Sequence, residues 1–224
     1  MKKRVMFLLL IISVALLAAC SDDDNEGIKR EEVEPQEAVT ISDAEKIAND
    51  EVVAIVNDVE LHGELYNLVY TQTKIEFQQF EQDVEDLERI KQSAIDLLIG
   101  RELAVQDAKE QGIEVSEEEV DEAFSEFKEE AEDRYTLFIE EYDLTDDAFK
   151  EQFRFSLIHE EYLKLDDFHV TDEEAEEKYA ELEKDTEEIP DFDDIKDQVK
   201  MGIKQDKLDE KVEQLKEAAD IEIK

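Results

Sequence analysis

The chain contains very little cysteine, proline and glycine, and no tryptophan. Its 224 residues include one cysteine, two prolines and five glycines. A single cysteine excludes an internal disulfide and a metal site built on several thiolates. Few prolines and glycines leave little material for turns and favour long regular elements. The sequence also lacks a Gly-rich phosphate loop and the paired histidines of a helical zinc site, so it predicts no catalytic residue, no metal site and no cofactor.

Basic residues are scarce relative to acidic ones. There are 25 Lys and Arg against 67 Asp and Glu, which gives a formal net charge of −42. Residues 1–19 hold three of the basic residues and none of the acidic ones, so without them 22 face 67 and the charge is −45. Such a surface repels phosphates and argues against nucleic acid as a partner. It favours a strongly solvated exterior, typical of saline or alkaline surroundings.

The longest apolar run is short and lies at the N-terminus. It spans residues 6–17 and follows Lys2, Lys3 and Arg4. That layout is typical of a secretory signal peptide, and the run is too short to cross a bilayer comfortably. The following Leu17-Ala18-Ala19-Cys20 resembles the lipobox of bacterial lipoproteins. This resemblance implies that Cys20 is diacylated and becomes the first mature residue, anchoring the chain to the extracytoplasmic face of the cell membrane. A plain signal peptide with an incidental cysteine is the alternative.

The chain after Cys20 divides into a polar segment and a folded segment. Residues 20–48 are rich in Asp and Glu with little periodic apolar content, which predicts a flexible tether. A short helix is possible at residues 42–45. Residues 49–224 carry the apolar residues of one domain and predict a mainly α-helical fold. Short β-rich runs at residues 51–56 and 221–223 are predicted to pair with each other, which brings the two ends of the domain together.

Several helix boundaries can be located from the sequence. Gln111-Gly112 is typical of a helix C-terminus. Ser116 to Glu119 and Thr171 to Glu174 have the spacing of capping boxes, and Thr145 is a further candidate N-cap. Long amphipathic helices are predicted on both sides of the first capping box and again before the C-terminus.

Two stretches resemble the SurA/PrsA-type chaperone domain. "VVAIVNDVELHGELYNLVY" is similar to the strand, polar turn and helix that open that domain. "AIDLLIGRELAVQDAKEQGIEVSEEEVDEAFSEF" is similar to its most distinctive part, a Leu-rich helix with Arg-Glu-Leu near its middle, followed by Gly-Ile-x-Val-Ser. Three later segments also resemble the family, so the resemblance covers roughly residues 50–224. It implies a helical SurA N-terminal-like domain that holds unfolded or newly exported polypeptides.

One feature of that family is missing between Tyr179 and Phe192. PrsA-like foldases carry a parvulin prolyl isomerase domain at the corresponding place, whereas this chain has "AELEKDTEEIPD". A dozen residues cannot form a domain. The resemblance therefore implies a membrane-anchored chaperone or foldase-like lipoprotein without its own isomerase site. A prolyl isomerase with a cryptic site, or a non-catalytic interaction or solute-binding lipoprotein, are the alternatives.

The candidate client-contacting residues are aromatic. Ordinary core packing is the competing interpretation, and the favoured one, because aromatic residues at helical spacing usually face inward. Client identity and oligomeric state are not predicted. The candidates are Tyr66, Tyr70, Phe77, Phe80, Phe153 and Phe155.

Overall fold

The computed structural model describes residues 39–185 and 189–224, so the predicted signal peptide and Cys20 lie outside the described residues. The predicted mainly α-helical class is confirmed. A single 3-10 turn (Asp166–Phe168) separates the fifth and sixth helices. In chain order the elements are β1 (Val52–Val56), β2 (Val59–His62), α1 (Gly63–Gln79), α2 (Leu87–Glu110), α3 (Glu117–Ala131), α4 (Asp133–Tyr142), α5 (Asp146–Tyr162), α6 (Asp172–Asp185), α7 (Phe192–Ala218) and β3 (Ile221–Ile223).

The strands form one small antiparallel sheet in the order β2-β1-β3. Ala54 in the central strand lies opposite Leu61 on one side and Ile223 on the other. The predicted pairing of the first and last strands is confirmed. Strand β2 was not predicted. It follows a two-residue turn at Asn57 and Asp58, whose φ angles of 49° and 70° are those of a tight hairpin.

The predicted helix ends are confirmed by their hydrogen bonds. At the start of α3, the Ser116 hydroxyl accepts from the Glu119 amide at 3.3 Å, while the Ser116 amide donates to the Glu119 carboxylate at 2.9 Å. Thr171 and Glu174 form the same box before α6. Helix α2 ends at Glu110 with Gln111 as its C-cap, and the next residue, Gly112, has a φ of +82° that suits glycine. Helix α4 was not predicted as a separate element, because one residue with a positive φ, Glu132, separates it from α3.

Three connected clusters of apolar side chains make the core. The first joins the sheet to α1 and α2, and includes Val56, Tyr66 and Leu98. The second lies between α1, α3, α4 and α5 and is strongly aromatic. The third joins α2, α5 and α7 around Tyr162. Helix α2 contributes to the first and third clusters, and α5 contributes to the second and third. Packing in these clusters therefore fixes the position of the two helices relative to each other.

Residues 39–48, predicted as the end of the flexible tether, pack against α1. Val39 is buried, and the Asn67 side chain bonds to both backbone groups of Ile47 at 3.0 and 2.8 Å. The carbonyl oxygen of Ala48 would lie 2.1 Å from a Cβ atom at Gly63, so a residue larger than glycine cannot fit there without movement. The folded part of the chain therefore extends to residue 39 at least.

Helix α7 packs against α6 and then against α2. The Lys178 ammonium lies 3.1 Å from the Asp206 carboxylate, and the Tyr179 hydroxyl donates to the Pro190 carbonyl at 2.8 Å. Helix α7 thus packs directly on α6, and its C-terminal end leads into β3 of the sheet. Of the helices in the described ranges, none combines the length and apolar character needed to cross a membrane.

Candidate functional site

A groove opens on the surface between α2 and α5. It is open to solvent and has a cavity volume of about 80 Å³, and β2 and the start of α1 contribute one side chain each. Its base is apolar and buried, and its walls are half-buried, so the groove presents carbon surface to solvent. The apolar lining residues are Leu61, Leu65, Leu98, Val105, Phe155 and Ile158.

Helical spacing brings the lining residues together. On α2, Leu98, Arg101 and Val105 are three and four residues apart, and on α5 Phe155 and Ile158 are three residues apart. Residues at these intervals lie on one face of a helix. Each of these faces lies at the edge of a core cluster, so part of it is buried and part borders the groove.

The guanidinium of Arg101 lies in this apolar setting. Its Nη1 donates to the Gln152 side-chain oxygen at 2.7 Å, and its carbon atom Cζ lies 5.1 Å from the centre of the Phe155 ring. Within the described residues, no carboxylate forms an ion pair with it. Burial lowers the pKa of Arg101 to about 10, and the charge of Glu76 acts in the opposite direction. The group remains charged at neutral pH, with its hydration reduced.

The two carboxylates that line the groove bond to other partners. Glu102 accepts from the Gln106 side chain at 2.7 Å, and burial raises the pKa of Glu102. Glu151 lies 3.2 Å from the Arg154 guanidinium, which also bonds to Glu117 at 2.8 Å. The carboxylates at the rim of the groove are therefore paired with neighbouring side chains, whereas the Arg101 guanidinium contacts an amide oxygen and an aromatic ring.

His159 lies next to the groove. Its ring centre is 5.5 Å from that of Phe155. Burial lowers the pKa of His159, and the charge of Arg101 lowers it further. The charge of Asp209 acts in the opposite direction, and the net shift favours the neutral imidazole.

The structure separates the predicted client-contacting residues into two groups. Tyr66, Tyr70, Phe77 and Phe153 are between 1 and 8% exposed, so they are core residues and offer no surface to a client in the folded chain. Their helical spacing places them on inward faces. Phe80 is 67% exposed at the end of α1. Phe155 is half-buried in the groove, and client contact by these last two stays a prediction.

Most groove residues were not identified from the sequence. The two helices are about 50 residues apart, and no local pattern indicates that their edges meet. Arg101 and Glu102 belong to the Arg-Glu-Leu segment that carried the family resemblance, but that segment gave no role for either side chain. In the described part of the chain, no cluster of three or more histidine, cysteine or acidic side chains could hold a metal ion.

Comparison with known proteins identifies a family and a curated relative. The family model described as the SurA-like N-terminal domain matches residues 3–163. The chain is also 30% identical over 188 residues to the foldase protein PrsA of Caldanaerobacter subterraneus subsp. tengcongensis. That alignment covers 80% of this chain and 52% of the relative. The chain therefore spans about half the length of the curated relative it matches.

Proposed function

The chain belongs to the SurA-like N-terminal domain family of chaperones and foldases, and we propose that it holds exported polypeptides at the outer face of the cell membrane. Holding means reversible binding of unfolded chain without nucleotide or cofactor. The relative's name, foldase, describes that protein, and the shared domain supports the same class of client here.

The open apolar groove between α2 and α5 carries this proposal. Leu65, Val105 and Phe155 are half-buried on its walls, so part of each remains available to a bound segment. Burial of apolar surface is non-directional and roughly proportional to area, so such a groove accepts many client sequences. A holder of newly exported chains needs that tolerance.

The acidic exterior supports the same function. A chain that exposes apolar surface must itself stay soluble, and a large net charge provides that property. Around the groove the charges are locally paired, which leaves the carbon surface accessible. Repulsion from the remaining acidic surface favours clients with net positive charge at low salt.

The proposal assigns no isomerase step to this chain. The segment joining α6 to α7 is too short for the parvulin domain that PrsA-like foldases carry there, and α7 packs directly on α6. Anchoring through Cys20 is part of the proposal. It is supported by the lipobox-like Leu17-Ala18-Ala19-Cys20 and by the apolar run before it.

Aggregation suppression by the purified chain tests the holding function. The wild-type protein should slow aggregation of a chemically unfolded, basic client at near-stoichiometric ratios without ATP. Phe155→Ser should weaken suppression, because it removes a groove wall. Leu137→Ser is the matched control, since Leu137 is 59% exposed on α4, which does not line the groove. No suppression by wild type for any client would refute the function, and equal loss in both variants would refute the site.

A further inference from the structure

Two cations that lie in apolar surroundings, Lys74 and Arg101, differ in their partners. The Lys74 ammonium bonds directly to the Glu45 carboxylate, and both side chains are less than 10% exposed. Arg101 is half-buried among apolar side chains and bonds to the uncharged Gln152. A buried charge is usually paired with an opposite charge, because desolvation without a partner is costly. The difference is notable in a chain with 67 acidic residues.

The guanidinium of Arg101 has donors to spare. A guanidinium carries five N–H donors in a planar fork that matches a carboxylate. One bond goes to Gln152, and Phe155 covers one face. Because Arg101 lines the groove, the unused donors are available to a bound group there. The rim carboxylates Glu102 and Glu151 do not use them, since each bonds to another side chain.

We propose that the groove receives the C-terminal residue of a client, with its carboxylate on Arg101 and its apolar side chain against Leu65, Val105 and Phe155. This inference rests on the proposed function and adds a preferred client feature to it. A terminal residue brings a carboxylate and an apolar side chain together within one residue. An internal Asp or Glu brings the charge without the apolar side chain.

The size of the groove favours a chain end over a crossing chain. A cavity volume of about 80 Å³ is well below the range for pockets that enclose whole ligands, so the groove can take in only a small group. Carboxylate on guanidinium is a charge-assisted, bidentate pair, and exclusion of water by the surrounding carbon strengthens it. The groove therefore combines a small apolar wall with one anion-binding point.

Three labelled peptides of the same apolar sequence test the inference on the full chain. The first ends in a free carboxylate, the second in an amide, and the third in an amide with one internal Asp. Fluorescence anisotropy near 0.15 M salt, where the Debye length is about 8 Å, limits long-range repulsion by the acidic surface. The free-carboxylate peptide should bind about tenfold more tightly than the amide, as a charge-assisted bond predicts.

Variants assign the preference to one side chain. Arg101→Gln should remove the preference for the carboxylate while the amide peptide binds as before. Arg134→Gln is the matched control, because Arg134 lies on α4 outside the groove and bonds to the backbone carbonyls of Ala131 and Glu130. It should leave the preference intact. Thermal melting checks folding, and the comparison of peptides on wild type stands even if Arg101→Gln does not fold.

Two results would overturn the inference while leaving the proposed function standing. One is equal binding of the carboxylate and amide peptides by a protein that suppresses aggregation. The other is binding of the internal-Asp peptide as tight as that of the free carboxylate, which would assign Arg101 to acidic segments, including the chain's own residues 21–38. Failure to bind any peptide, together with no suppression of aggregation, would refute the proposed function itself.

Discussion

Individual side chains in this protein are distinguished by what surrounds their charge or ring. Lys74 and Arg101 are both cations in partly apolar settings, yet the first has a carboxylate partner and the second an amide. Phe77 and Phe80 are three residues apart on the same helix, yet one is 8% and the other 67% exposed. Residue type alone therefore does not give the role.

One prediction concerns Cys20. If its thiol is the acylation site, Cys20→Ala should accumulate as an uncleaved precursor, because the signal would be cut only before an acylated cysteine. Mass spectrometry of the wild-type protein should find a diacylated cysteine as the first residue. An unmodified N-terminus at another residue would contradict the anchor.

A second prediction concerns Phe77 and Phe80 as a matched pair. Phe77→Ala should lower the free energy of unfolding by about 3 kcal/mol, because it leaves a cavity beneath the Arg89 guanidinium that covers the ring. Phe80→Ala should change it by less than about 0.5 kcal/mol, as is usual for exposed positions. Urea titration of both variants provides the comparison. Equal effects would mean that Phe77 does not pack as described.

At the scale of elements, local signals were readable and most non-local ones were not. Capping boxes and the C-terminal signal at Gly112 follow from residue types at fixed spacings. The pairing of the terminal strands is non-local and could be predicted only because two strand-like runs were found. Strand β2 is only four residues long, and its alternation merges with the start of α1. Helix α4 has no side-chain cap to mark it. The groove requires α2 and α5 to meet, which only tertiary packing decides.

The packing of residues 39–48 on α1 gives a pH-dependent prediction. Burial would raise the pKa of Glu45, but hydrogen bonds from Lys74, Ser42 and Tyr70 lower it to about 2, from an ordinary value of 4.5. The folded state thus binds this proton less readily than the unfolded one. Its stabilisation is complete above about pH 4.5 and is lost as the pH falls through about 2.

Urea unfolding between pH 6 and 2.5 measures this contribution. Wild type should lose more stability with acid than Glu45→Gln, which is already destabilised at neutral pH because the Lys74 charge is left buried without a partner. Glu174→Gln is the control. In the wild type, the pKa of Glu174 is also lowered to about 2, first by the hydrogen bond from the Thr171 backbone. Because the Glu174 side chain is 41% exposed, replacing it should change the acid sensitivity of stability less than replacing Glu45 does. Identical pH profiles for wild type and Glu45→Gln would contradict the packing of this segment.

At the scale of the whole molecule, charge and apolar surface have opposite consequences. The formal net charge of −42 makes the acidic surface repel itself, while three apolar clusters hold the helices together. Composition alone gave the sign and size of the charge, and with it the argument against nucleic acid. It could not show that the pairs around the groove leave carbon surface open, because that depends on which side chains meet.

Self-repulsion should make stability depend on ionic strength. Between 0.01 and 1 M salt the Debye length falls from about 30 to about 3 Å, so repulsion among exposed carboxylates is screened. The melting temperature should rise by at least about 3 °C between low and moderate sodium chloride, which corresponds to about 1 kcal/mol for a domain of this size. A flat profile in calorimetry would show that the acidic groups are already spaced or paired well enough.

Site-specific photocrosslinking tests the central claim, that clients bind in the groove between α2 and α5. A benzophenone side chain at Glu151, on the exposed rim, should capture an unfolded client and ignore the same client in its native form. The same group at Leu137, an exposed apolar position on α4, should capture little. Strong capture at Glu151 alone is the predicted result. Equal capture at both positions, or none at Glu151 while aggregation is suppressed, would contradict the groove as the client site.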